Sequence, residues 1–133
     1  MRLIVLTGLC AVIALAAAVP AEARPKKKLR TVADQTIPNG VAVYRQAGST
    51  AKDYWCNAGD FALRKMGAPS DGALELVRPE GAAGGPSDRD SIGFSLVDGG
   101  GGSGGVSVST VGERHSLGQT KAFCLSQVDP SER

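Results

Sequence analysis

The hydrophobic and polar positions fall into segments of different period. From Leu3 to Val19 the chain is uncharged and mostly apolar, and Pro20 closes the run. Residues 31–39 hold no sustained period and end in the turn signal Pro38-Asn39-Gly40, so they read as extended linker. Val41-Ala42-Val43-Tyr44 is β-branched and aromatic, the composition of a strand. At Gly48-Ser49-Thr50 the period changes. Thr50 followed three residues later by Asp53 resembles a capping box, and a helix is predicted from Ala51 to about Lys65, stopped by Gly67 and Pro69. On it Trp55, Gly59, Ala62 and Met66 form an apolar stripe flanked by Cys56, Ala58 and Leu63, while Asp53, Asn57, Asp60 and Arg64 lie opposite. Gly59 costs roughly 1 kcal/mol in a helix interior, which predicts the close approach of a strand there.

Beyond the helix the period is 2. Ala73–Val77 is a short strand stopped by Pro79, and Ser91–Val97 alternates with Ile92, Phe94 and Leu96 on one face. Val106–Val111 also alternates, and Thr120–Ser126 reads as the last strand, carrying Cys124. Residues 79–90 and the glycine-rich 98–105 are the loops between them. The expected order is β-α-β-β-β-β. That is an α+β fold with one amphipathic helix (about 51–65) packed on a mainly antiparallel sheet of four to five strands.

The ends of the chain carry a different message. Arg2, the apolar run and Ala21-Glu22-Ala23 are the three parts of a secretory signal peptide, with cleavage expected after Ala23. The alternative is an uncleaved membrane anchor, favoured by the basic residues that follow directly. The expected organisation is 1–23 signal peptide, 24–39 basic extended linker, 40–127 one disulfide-linked domain and 128–133 a frayed tail. Overall charge is +2, from 15 basic and 13 acidic residues. Five of the basic groups stand in the single stretch Arg24-Pro-Lys-Lys-Lys-Leu-Arg30. This stretch reads as a solvated leader or as an attachment point for anionic lipid or another polyanion. It has no aromatic to stack on bases, so no nucleic-acid partner is expected.

Cys10 leaves with the signal segment, and Cys56 and Cys124 remain as an even pair in an exported chain. Such a pair is a structural disulfide rather than a metal or redox site, since there is no C-x-x-C and His115 is the only imidazole. The expected compartment is periplasmic or secreted.

Motif matches in the glycine-rich loop lack their contexts. Gly101-Gly102-Ser103-Gly104-Gly105 satisfies G-x-S-x-G, and the run from Gly99 satisfies G-x-G-x-x-G, but strand-like sequence follows where either motif needs a helix. His115 beside Ser116 reads as an exposed loop histidine, because catalysis needs converging partners that adjacency does not supply. No catalytic residue, metal or cofactor is therefore expected. The candidate contact surface is the aromatic shoulder Tyr54 and Phe61 together with Gly101 and Ser103 of the loop.

The segment Tyr54-Trp55-Cys56-Asn57-Ala58-Gly59-Asp60-Phe61-Ala62 resembles the Y-W-C-x-A-G-D-[FY]-A element of small uncharacterised exported bacterial proteins. That resemblance implies bacterial export and a disulfide. In outline, Tyr54-x-Cys56 with the late Cys124 is also similar to periplasmic inhibitors of C-type lysozyme. Their S-G-x-x-Y loop is missing, and the helix at 51–65 disagrees with their β-barrel. Together these readings give a small exported, non-catalytic binding or envelope-accessory domain with a protein or envelope polyanion as partner. Membrane contact is expected only if the signal segment is retained. The alternative is a periplasmic inhibitor of an envelope hydrolase, or a small hydrolase using His115.

Overall fold

The computed structural model describes residues 24–87, 89–100 and 102–126. The proposed signal segment and the tail 128–133 lie outside the described residues, as does Gly101. Among the described residues the elements are β1 (Thr31–Asp34), β2 (Gly40–Tyr44), α1 (Ala51–Arg64), β3 (Ala73–Arg78), β4 (Ser91–Val97), β5 (Arg114–Ser116) and α2 (Leu117–Leu125). The strands form one antiparallel sheet in the order β1-β2-β4-β3-β5. The expected α+β class holds, with α1 packed on the sheet.

α1 begins as the sequence predicts. The Thr50 side chain accepts from the Asp53 amide, and Asp53 reaches back to the Thr50 amide at 2.8 Å, closing a capping box. Its apolar stripe meets the strand face that carries Val41 and Val43 of β2, Leu74 and Leu76 of β3 and Ile92 and Phe94 of β4, all buried. Trp55 is at the centre, fully enclosed, with its ring edge-on to Phe94 at 4.8 Å.

Several expectations are corrected. Residues 120–126 are not a strand: 120–125 lie in α2, Ser126 is its C-cap, and Cys124 sits on a helix. The Cys56–Cys124 disulfide forms as expected, but it joins helix to helix, with the Cα atoms 5.0 Å apart. Closing a loop of 68-residue separation restricts the unfolded chain by roughly 4 kcal/mol in the chain-entropy model. Gly59 has the same cause in a different guise. A Cβ there would overlap the side chain of Thr120 on α2, so the close approach is by a helix and not a strand. Cys56 and Gly59 on α1 thus face Cys124 and Thr120 on α2, and the two helices run past each other in opposite senses along one tight seam.

Residues 106–111 are not a strand either. Their backbone groups are satisfied by side chains and loops: the Ser107 amide by Glu113, the Ser107 carbonyl by the Trp55 indole, and the Val108 carbonyl by the Glu80 amide. The short strand instead falls at 114–116, where Arg114 pairs across to Glu75 at 2.6 Å.

Residues 31–39, expected as linker, hold β1, which pairs with β2 from Thr31↔Val43 to Asp34↔Gly40. The face of the sheet away from the helices has its own buried ion pair. A bulge between Leu76 and Arg78 places Leu76 opposite Phe94 but Arg78 opposite Gly93, so Arg78 changes face. Its guanidinium lies over Gly93, reaches Asp34 at 2.8 Å and donates to the Ser91 hydroxyl. β1 and β3 are not neighbours, so this pair ties strands across the sheet. Burial pushes the Asp34 carboxyl up, but hydrogen bonds from Thr36 and Arg78 and the Arg78 charge outweigh it. The group is held below the ordinary aspartate value.

Candidate functional site

Two grooves border the residues that carry chemistry. The first is an open groove of about 630 Å³ formed by the loop Ser103–Ser107 and the turn Thr110–Glu113. Glu113 lies at its inner side and is itself buried. Its Oε1 accepts from the Ser107 hydroxyl at 2.6 Å, and its Oε2 accepts from the Ser107 amide at 2.9 Å and faces Nε2 of His115 at 2.8 Å. Burial drives the Glu113 carboxyl up, yet the two Ser107 bonds and the contact with His115 more than offset this, leaving it below the usual glutamate value.

His115 was expected as an exposed loop residue, and that expectation is corrected: it is 0% exposed. β5 turns its ring inward, between Trp55 at 4.5 Å and Phe123 at 5.1 Å, both edge-on. Its second nitrogen, Nδ1, faces Oε1 of Gln119 at 2.9 Å. Both ring nitrogens are therefore engaged. A hydroxyl, a carboxylate and an imidazole do come together, but in the order Ser107–Glu113–His115. The serine meets the carboxylate, so the imidazole has no hydroxyl to deprotonate and the ring does not reach the groove surface.

The second groove, of about 190 Å³, lies where the basic segment crosses α1. Phe61 lines it, half-buried, with Arg24, Lys28, Arg64 and Lys65 around it. The basic segment does not behave as a solvated leader. Pro25 and Leu29 are buried, while Arg24, Lys28 and Arg30 are exposed. Asn57 fixes this register: its Oδ1 accepts from the Leu29 amide at 3.0 Å and its Nδ2 donates to the Lys27 carbonyl at 2.9 Å. The Arg30 carbonyl then accepts from the Tyr44 amide at 2.9 Å, leading the chain into β1. The polar side of α1, expected to face solvent at Asp53 and Asn57, is thus covered at both positions. Farther along the same side, Asp60 and Arg64 form an i,i+4 ion pair at 3.2 Å.

The expected contact surface is divided by this arrangement. Tyr54 is buried at 3% exposure, and its hydroxyl both donates to and accepts from the Gln46 backbone. Phe61 lines the basic groove and Ser103 the other, and the two grooves share no lining residue. Ser103 is occupied by β5: its hydroxyl accepts from the Arg114 amide and its amide donates to the Arg114 carbonyl. Among the described residues, no three His, Cys, Asp or Glu side chains gather as metal ligands.

The residues that sequence reasoning passed over are Ser107, Glu113, Gln119 and Asn57. The spacing Glu113-x-His115 was a signal, because alternate residues of an extended segment share a face. Asn57 gave none, since the partners that fix the basic segment, at Lys27 and Leu29, are backbone groups about 30 residues away. Comparison of the chain with protein-family models, with curated proteins and with solved structures finds no match.

Proposed function

We propose that the protein is a small exported, non-catalytic binding domain of the bacterial periplasm or envelope, released from its signal segment at Ala23. The observation that carries this reading is the fully buried Cys56–Cys124 bridge in the α1–α2 seam, which belongs to an oxidising compartment. The start of the chain agrees: a positive residue, an apolar run and Ala21-Glu22-Ala23 precede the first described residue.

The non-catalytic part rests on His115. A general base must reach a proton on a substrate, and this imidazole is enclosed by Trp55 and Phe123 with both nitrogens held. Its neighbours make it a rigid strut between the groove turn and α2. The likeness to lysozyme inhibitors remains one of outline, without the loop that would carry inhibition.

Expression of the whole chain in a bacterial host, followed by osmotic-shock fractionation and intact mass, tests the reading. The expected product lies in the periplasmic fraction, begins at Arg24 and is lighter than the reduced chain by two hydrogens. A cytosolic product with free thiols overturns the compartment. A membrane-bound product retaining Met1 replaces cleavage by anchoring.

A further inference from the structure

We propose that the groove between the basic segment and α1 docks the protein on an anionic phospholipid surface. This rests on the exported-domain reading and names the partner of that domain.

The basic segment is a fixed platform. With Pro25 and Leu29 turned inward and Asn57 clamping the backbone between them, Arg24 and Lys28 project outward from a defined position. The C-terminal turn of α1 adds Arg64 and Lys65 on the other side of the groove. The one acidic lining residue, Asp60, is already paired with Arg64. A cluster held this way binds without the ordering loss that a flexible tail suffers on contact.

Charge polarity orients the molecule. Residues 24–30 carry five positive charges and no negative one, whereas 31–133 carry nine positive and twelve negative, a net of −3. A negatively charged plane therefore attracts this face and repels the remainder. The size of the groove also limits its occupant. At about 190 Å³ it is below the roughly 300–1,000 Å³ of pockets that enclose a small ligand. It suits a headgroup whose remainder stays outside. Phe61, Pro25 and Leu29 add apolar surface among its cations, the pairing of Lys/Arg with Phe and Leu found on interfacial surfaces.

The path of the chain points the same way. Residues 1–23, with their apolar run, join the described structure at Arg24, inside the groove. Cleavage after Ala23 would place a new α-ammonium on Arg24, adding one more positive charge to the same cluster.

The test is co-sedimentation of the periplasmic protein with vesicles of mixed phosphatidylcholine and phosphatidylglycerol, against phosphatidylcholine alone. Binding is expected only to the mixed vesicles, falling as salt is raised. Lys28→Ala with Lys65→Ala removes two exposed charges from the groove and should weaken partitioning about 25-fold, at about fivefold per charge. Lys52→Ala with Lys121→Ala changes net charge equally, outside the groove, and should leave partitioning unchanged. Both pairs are at exposed positions, and matching melting curves will show that the fold is intact. Equal loss in the two variants overturns the proposal, since net charge alone would then suffice. So does absence of binding, or binding to polyglutamate as tight as to the vesicles. Failure of export registers separately in the fractionation and mass, and a retained apolar run registers as binding to phosphatidylcholine alone.

Discussion

Replacing Gly59 with alanine tests the α1–α2 seam most directly. In an ordinary helix interior this change stabilises by roughly 1 kcal/mol, because alanine loses less backbone entropy. Here the new Cβ would fall within the Thr120 side chain. That side chain cannot simply turn aside, because its hydroxyl donates to the Leu117 carbonyl at 2.7 Å. Nor can the helices separate, since the Cys56–Cys124 bridge lies one turn away. Overpacking in such a site costs typically 1–3 kcal/mol. With the constraint from both sides the upper figure applies, and the net destabilisation is about 2 kcal/mol, or about 10 °C in melting temperature. Thermal melts of the oxidised protein read it. Adding Thr120→Gly removes the obstacle, so the double variant should fall short of the summed single losses by about 3 kcal/mol. Reducing the disulfide should shrink the Gly59→Ala penalty, because the seam can then open. A Gly59→Ala protein as stable as the parent, or two losses that simply add, would refute the close approach.

Acid and tether behaviour give further expectations. Asp34 and Glu113 both titrate below their ordinary values of 3.8 and 4.5 in the folded protein. The fold therefore favours their ionised forms, and their stabilisation is fully present above about pH 4.5 and lost as pH falls through the lowered folded values. Urea midpoints should be flat from neutrality down to about pH 5 and drop below that. Glu113→Gln should flatten part of the drop, and an unchanged acid slope in that variant would refute its share. Asn57→Ala leaves the Leu29 amide and Lys27 carbonyl without their partner, destabilising by about 2 kcal/mol. It should also speed tryptic cleavage within 26–30, and an unaltered digestion pattern would mean that the basic segment is held by something else.

The parts legible in the sequence are those where local signals and tertiary packing agree. Thr50 and Asp53 announce α1, its stripe points Trp55 to the core, and Ile92, Phe94 and Leu96 mark β4 by simple alternation. α2 was hidden by its composition, since Gly118, Thr120 and Phe123 are poor helix formers. A cap signal was nevertheless present: Ser116 with Gln119 three residues on, and the Ser116 hydroxyl does accept from the Gln119 amide. Val106–Val111 carried the period of a strand without a partner edge, and alternation alone cannot supply one. His115 reads as exposed because the spacing Glu113-x-His115 offers a carboxylate partner but does not reveal that Trp55, 60 residues earlier, and Phe123 will enclose the ring. Of the proposed contact surface, Phe61 was recognisable as an aromatic beside charge. Its neighbours came from a segment read as linker, because the clamp that fixes it is a single asparagine.

The guanidinium that crosses Gly93 has an evolutionary consequence. Asp34, Arg78 and Gly93 occupy three different strands, yet neither charge is tolerable without the other two residues: the arginine without its carboxylate is a stranded charge, and any larger residue at 93 blocks its way. Divergent descendants of this chain should therefore change positions 34 and 78 together while keeping glycine at 93, where a Cβ would also meet the Ile37 side chain and the Cβ of residue 78, and intermediates carrying one change alone should be rare.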